Sequence, residues 1–248
     1  MSEFGIALFY SFDIPASCTP APIVITDACI DLMFYRNDTA NDYGAEIIGP
    51  NASPYSMEFR PGYSYFGIRF LSGQSLLLTD LRLSDTLGER IPLADVCLRN
   101  DIIERVVSDW NFGAQIEKFV RVYGKMYEGR DVSGKQVLCD YIVGQILGGG
   151  ACVCLNDFER ETGYTRQYIN RVFQEQTGFS VMRFLKIIRT HRLISKFAVA
   201  PDEKIGSQIA AEMGFSDQSH MIREFKRYVG VTPSQFIRAE MGVWMDGS

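Results

Sequence analysis

Residues 205–236 read IGSQIAAEMGFSDQSHMIREFKRYVGVTPSQF, and the spacing of their apolar side chains organises the C-terminal half of the chain. Ile205, Ile209, Ala210 and Met213 recur at helical spacing, stop at Gly214, and give way to Ser216 and Asp217, side chains suited to capping a new helix. Two helices joined by a turn containing glycine form a helix-turn-helix. At about 100° per residue the second helix puts Met221, Phe225 and Tyr228 on one side and Gln218, Ser219, Ile222, Arg223 and Lys226 on the other. That second face offers amide, hydroxyl and guanidinium groups together. In a DNA major groove an amide pairs with adenine, a guanidinium with guanine, and an aliphatic group touches a thymine methyl, each good pair worth roughly 1–3 kcal/mol of discrimination. A solvated surface helix has the same composition, so one such face does not decide between the two.

The pattern occurs twice. Residues 165–174, TRQYINRVFQ, carry Ile169, Val172 and Phe173 on one side and Arg166, Gln167, Asn170, Arg171 and Gln174 on the other. A shift of 52 positions lays Gln167 on Ser219, Asn170 on Ile222, Arg171 on Arg223, Phe173 on Phe225 and Gly178 on Gly230. An internal repeat of this kind reads as two copies of one structural unit. Two reading helices held by one connecting helix would enter successive major-groove faces about 34 Å apart.

GYTRQYINRVFQEQTGFS, followed by IAAEMGFSDQSHMIREFKRYVGVTPSQF, resembles the tandem helix-turn-helix domain of the AraC/XylS transcription regulators over roughly residues 131–240. The resemblance implies base-reading positions at Gln167, Asn170 and Arg171 in the first unit and at Gln218, Ser219 and Arg223 in the second. Thr165, Arg166, Gln174, Ile222 and Lys226 flank them as further contacts. It implies a double-stranded DNA operator and RNA polymerase as partners, an activator more than a repressor, and a homodimer. Two departures stand out: Phe158-Glu159, where the family has an aliphatic residue followed by Ala, and Met221, where Phe is usual.

A net charge of −5 is unexpected for a DNA binder. From Ala151 onward 13 Lys plus Arg face 11 Asp plus Glu, a net of +2, which leaves −7 for residues 1–150. The connecting stretch 181–197 carries Arg183, Lys186, Arg189, Arg192 and Lys196 without an acid. Such side chains suit DNA phosphates, with Arg183, Lys186 and Arg189 the first candidates, or they cover apolar neighbours with their stems.

In the front part, short aromatic and β-branched runs at 7–12, 23–26, 29–36, 63–70 and 76–83 alternate with Pro, Gly, Asn and Asp clusters, as in a small barrel or sandwich. ITDACIDLMFYRN, the Ile-Gly-Pro at 48–50 and YFGIRFLSG with RIPLADV resemble the N-terminal domain of a subset of AraC-type regulators. Arg36, Arg60 and Arg69 are the candidates for an anionic small-molecule effector, and pairing of Arg69 with an acid such as Asp31 is the alternative. The period then turns helical, with Val96, Ile103, Val106 and Val107 followed by Ile116, Phe119, Val120 and Tyr123. These helices either form the dimer surface or cover the sheet.

The chain therefore reads as α+β: a β-barrel or sandwich-like regulatory domain (1–92), a helical dimerisation segment (93–130), an all-α DNA-binding domain of two helix-turn-helix units joined by a linker helix (131–240), and a tail (241–248). No run is long and apolar enough for a membrane span, and no leader pattern is present, so the expected compartment is the cytoplasm. Cys18, Cys29, Cys97, Cys139, Cys152 and Cys154 form no C-x-x-C pair and only His191 and His220 accompany them, which argues against a structural zinc site; the thiols read as mostly buried. No catalytic motif is present and no cofactor is called for. A cysteine-based alkyl acceptor or redox sensor, and a protein-interaction module without DNA specificity, are the alternatives to a regulator.

Overall fold

The computed structural model describes residues 4–74, 76–99, 101–128, 132–149, 155–199 and 206–238. The front half contains β1 (Ile6–Asp13), β2 (Ile23–Val24), β3 (Ile30–Asn37), β4 (Asp42–Ile48), β5 (Tyr55–Ser56), β6 (Ser64–Phe70), β7 (Arg90–Pro92), α1 (Leu93–Val96), α2 (Asp101–Val107) and α3 (Phe112–Glu128). After it come α4 (Gly134–Gly148), α5 (Leu155–Thr162), α6 (Arg166–Thr177), α7 (Val181–Val199), α8 (Ser207–Glu212) and α9 (Gln218–Val229).

Five strands form an antiparallel sheet in the order β1-β6-β3-β4-β7, and β2 with β5 forms a separate ribbon. Side chains alternate between sheet faces, and both faces here are covered. Leu32 and Phe34 of β3 and Phe66, Ile68 and Phe70 of β6 join one core with Val106, Phe119 and Tyr123. Met33 and Tyr65, at intervening positions, join the other with Met57. This two-sided burial explains why β3 reads as a nearly unbroken apolar run.

The apolar stripes of α2 and α3 thus face the sheet, while Glu117, Arg121 and Lys125 of α3 point outward. Residues 76–83, expected as a strand, form turns with one isolated bridge, Thr79 to Cys97. Their leucines are the reason: Leu76, Leu78 and Leu83 are sunk in the sheet core and leave no free edge to pair. The strands outside the expected runs are the short β5 and β7 and the longer β4, DYGAEII, which pairs with β3 from Asn37–Asp42 to Asp31–Ile48.

Behind the sheet lie two further cores. The first gathers Cys139, Ile142, Phe158, Ile169, Phe173 and Phe184 from α4 to α7. The second gathers Leu193, Phe197, Ile209, Met221 and Phe225 from α7 to α9. Helix α7 belongs to both and is the spine of the C-terminal half.

Candidate nucleic-acid interface

The two helix-turn-helix units are copies in structure as well as in sequence. α6 and α9 are each 12 residues long and begin and end 52 positions apart. Each has a side-chain N-cap, with Thr165 accepting from the N–H of Tyr168 and Asp217 from that of His220. Each ends on a left-handed glycine, Gly178 at φ 78° and Gly230 at φ 91°, a conformation that a side chain disfavours. Ile169, Val172 and Phe173, and correspondingly Met221 and Phe225, are buried. Met221 fills its core position completely, at 0% exposure.

The outward face differs between units. Gln167, Arg171 and Gln174 are exposed on α6, with the Arg171 guanidinium 5.3 Å from the centre of the Tyr168 ring. Asn170 is occupied: its Oδ1 accepts from the N–H of Val181 at 3.3 Å and its Nδ2 donates to the carbonyl of Arg166 at 3.2 Å, tying α6 to the start of α7. On α9, Gln218, Ser219, Arg223 and Lys226 are exposed, whereas Ile222 is half-buried and packs against the second core.

Glu159, on α5, reaches the start of α6 with its side chain. Its carboxylate accepts from the backbone N–H of Arg166 at 2.9 Å and pairs with the Arg166 guanidinium, which holds the acid below its ordinary pKa. Shifted by 52, its counterpart is Ala211. The second unit has a carboxylate at the start of α9 through Asp217, whose acidity is raised by the His220 N–H and the Ser216 hydroxyl.

The basic residues of α7 have partners within the protein. Arg183 donates to the carbonyl of Ala52 at 2.7 Å, Lys186 lies 3.2 Å from buried Glu224, and Arg189 donates to the carbonyl of Gly214 at 3.0 Å. Arg192 collects the carbonyls of Ile146, Leu147 and Gly149 at the end of α4, groups that a helix terminus leaves without partners. Lys196 pairs with Glu212 at 2.6 Å. Composition could not show this, because the acceptors are mostly backbone carbonyls distant in sequence.

In the front domain the three arginines stand apart. Arg69 makes hydrogen bonds of 3.0 and 2.8 Å to Asp31 and an ion pair of 2.8 Å to Asp27, the alternative foreseen for it. Arg60 reaches Asp42 and Glu46 and lies 4.5 Å from the centre of the Tyr35 ring. Arg36, near the far end of β3 from Asp31, pairs with Asp38 and donates to the carbonyl of Val107. Arg69 and Asp31 border a cavity of about 300 Å³ between sheet and ribbon, otherwise lined mainly by aromatic and aliphatic residues such as Tyr10, Phe12, Tyr55 and Met57.

Burial pushes the Cys29 and Cys139 thiols up to about 12, so neither is a thiolate near neutral pH. Cys18 is exposed, contrary to expectation, and Cys152 and Cys154 lie outside the described residues, as do Ile205 and the tail 241–248. Among the described residues no His, Cys, Asp and Glu group could hold a metal, and no helix is long and apolar enough to cross a membrane.

The family model described as "Helix-turn-helix domain" matches residues 159–239, the stretch that contains both α6 and α9. This region is a helix-turn-helix domain, similar to that of AraC-type regulators. Curated relatives match over about a third of the chain. The Msm operon regulatory protein of Streptococcus mutans is 26% identical over 87 residues, 35% of this chain and 31% of that protein. The HTH-type transcriptional activator RhaR of Yersinia pseudotuberculosis is 30% identical over 87 residues, 35% of this chain and 29% of that protein. The chain thus spans under a third of the length of either relative. Among solved structures, ToxT from Vibrio cholerae is similar at 14% identity and a TM-score of 0.45, covering 94% of this chain and 98% of that one.

Proposed function

We propose that the protein is a sequence-specific transcription regulator that places α6 and α9 in successive major-groove faces of double-stranded DNA. The observation that carries this is the exact 52-residue offset of two capped, equally long helices, each turning an exposed polar face outward. In this reading Gln218, Ser219 and Arg223 choose bases, Gln167 and Arg171 do so in the first unit, and Gln174 and Lys226 flank them. Asn170 fixes α6 on α7. Thr165 caps α6, and Arg166 approaches the backbone only when it leaves Glu159. Arg183, Lys186 and Arg189 serve as internal ties.

Similarity to a protein named as an activator supports activation, acting through RNA polymerase in the cytoplasm as a homodimer. With the apolar stripes of α2 and α3 spent on the sheet, a dimer contact there would use their charged outer face. A small molecule with an apolar body fits the cavity beside Arg69; because that arginine already holds two carboxylates, an anionic effector would have to displace one. Random-site selection on the full chain tests the central reading: a recovered motif of two half-elements about one helical turn apart supports it, and the absence of any preferred sequence overturns it in favour of a protein-interaction module. Sedimentation and a thermal-shift screen address the dimer and the effector.

A further inference from the structure

The front domain touches the C-terminal half at the far ends of both reading helices, away from their exposed faces. Gly178, after α6, lies against residues 83–87: a Cβ built on it would sit 3.6 Å from both Leu87 Cδ1 and Ser84 Cα. Gly230, its counterpart after α9, lies against Pro54 at 3.7 Å. A third contact seats the turn at Gly73 on α4, where Gln136 donates to the Gly73 carbonyl at 3.3 Å.

The closest engagement is made by four residues following β2. Thr26 is 1% exposed, and its backbone bonds two helices at once. Its N–H donates to the carbonyl of Tyr228 at 3.0 Å, one of the last carbonyls of α9, which a helix end leaves open. Its own carbonyl lies 2.7 Å from His191 Nε2 on α7, so that nitrogen bears the proton. Ile25 packs against the core of the second unit, and Ala28, 5% exposed, belongs to the core of the first.

This segment is held in a set shape. Asp27 accepts from the N–H of Cys29 at 3.0 Å and pairs with Arg69. Ala28 adopts φ 56°, a left-handed conformation that an alanine keeps only when its surroundings impose it. The hydroxyl of Thr26 is buried without a hydrogen-bond partner among the described residues, so the backbone makes the attachment.

We infer that residues 25–28 form a clasp that fixes the second reading helix relative to the first, so that the front domain sets the spacing between the two half-elements the protein accepts. The inference rests on α6 and α9 being the reading helices. It assigns the front domain a part in DNA specificity that needs no effector.

Two measurements on the full chain test it. Spin labels on unnatural residues replacing Gln174 and Lys226 report the distance between α6 and α9 without DNA. The clasp predicts a narrow distribution that broadens in the His191→Leu, Asp27→Asn double variant and stays narrow in Thr26→Val, which keeps the backbone bonds. An unchanged distribution in a double variant that retains its circular dichroism overturns the clasp. The second measurement uses the duplex recovered by the wild-type chain in random-site selection, with and without one base pair inserted between the half-elements. Wild type should lose binding on insertion, and the double variant should lose that discrimination. Equal discrimination by both overturns the proposal. Failure of wild type to recover any duplex would refute the reading-helix assignment, while the label distances still decide the clasp.

Discussion

The two helix-turn-helix units share helix length, cap position and terminal glycine, yet they differ in how their outward polar faces are tied to the rest of the fold. In the second unit Gln218, Ser219 and Arg223 stand exposed beside an N-cap supplied by Asp217 within the same turn. In the first, Asn170 is tied to α7 and Arg166 to Glu159. A repeat that keeps its scaffold while its polar face diverges separates two tasks that sequence similarity merges: holding a helix in place, and presenting a polar face outward.

The largest expected effect asks whether the scaffolds are independent. Phe173 and Phe225 are both 0% exposed, and truncating either to Ala should cost about 3–5 kcal/mol in chemical denaturation. Tyr228 of α9 also lies in the core of the first unit. A single cooperative transition in both variants would mean that this bridge couples the units; two transitions would mean that they unfold separately.

Next comes the reading face. Arg223→Ala should weaken binding to the selected duplex by about 1–3 kcal/mol and blur one base position in a repeated selection. Arg171→Ala sharpens the comparison: a uniform loss on all sequences would make the first unit a steadying contact, and a blurred base would make it a second reader.

The terminal glycines come third. Gly178→Ala and Gly230→Ala force a left-handed alanine, at about 1–2 kcal/mol each in denaturation midpoints, with little added steric cost at contacts of 3.6 and 3.7 Å. Markedly unequal losses would show that the two helix ends are not equivalent.

The smallest effect concerns Glu159. Replacing it with Gln should release Arg166 towards phosphate, tightening binding to unrelated duplex and steepening the salt dependence by about one unit of slope. The carboxylate has a lowered pKa in the folded protein, so its contribution to stability is present above the ordinary Glu value of about 4.3 and is lost as pH falls through the folded value. The stability gap between wild type and Glu159→Gln should therefore shrink as the pH falls into acid; a gap that stays constant with pH would mean that the pair with Arg166 is not its source.

Much of the C-terminal half was legible because its determinants are local. The apolar period, Thr165, Asp217 and the glycines at 178 and 230 lie within a few residues of the turns they control. The front domain was less readable where burial overrode pattern. Leucine-rich 76–83 mimics a strand but fills a core, while β4 hides its pairing behind a glycine and polar residues. The internal ties of Asn170 and of the α7 arginines escaped because their partners are backbone groups, the Val181 N–H for Asn170 and distant carbonyls for the arginines, which leave no mark in composition. The contact of Thr26 with α7 and α9 spans 165 positions at His191, and no local signal announces it.

The inward-facing cations of α7 bear on how the protein would search a genome. A helix that reads as a phosphate-binding strip instead has its guanidinium groups committed to carbonyls and its ammonium groups to acids. Few of those donors remain to grip the phosphates of random DNA, on a chain whose net charge is −5. Encounters with the wrong sequence should therefore be brief, and long residence should depend on a match beneath the exposed faces of α6 and α9.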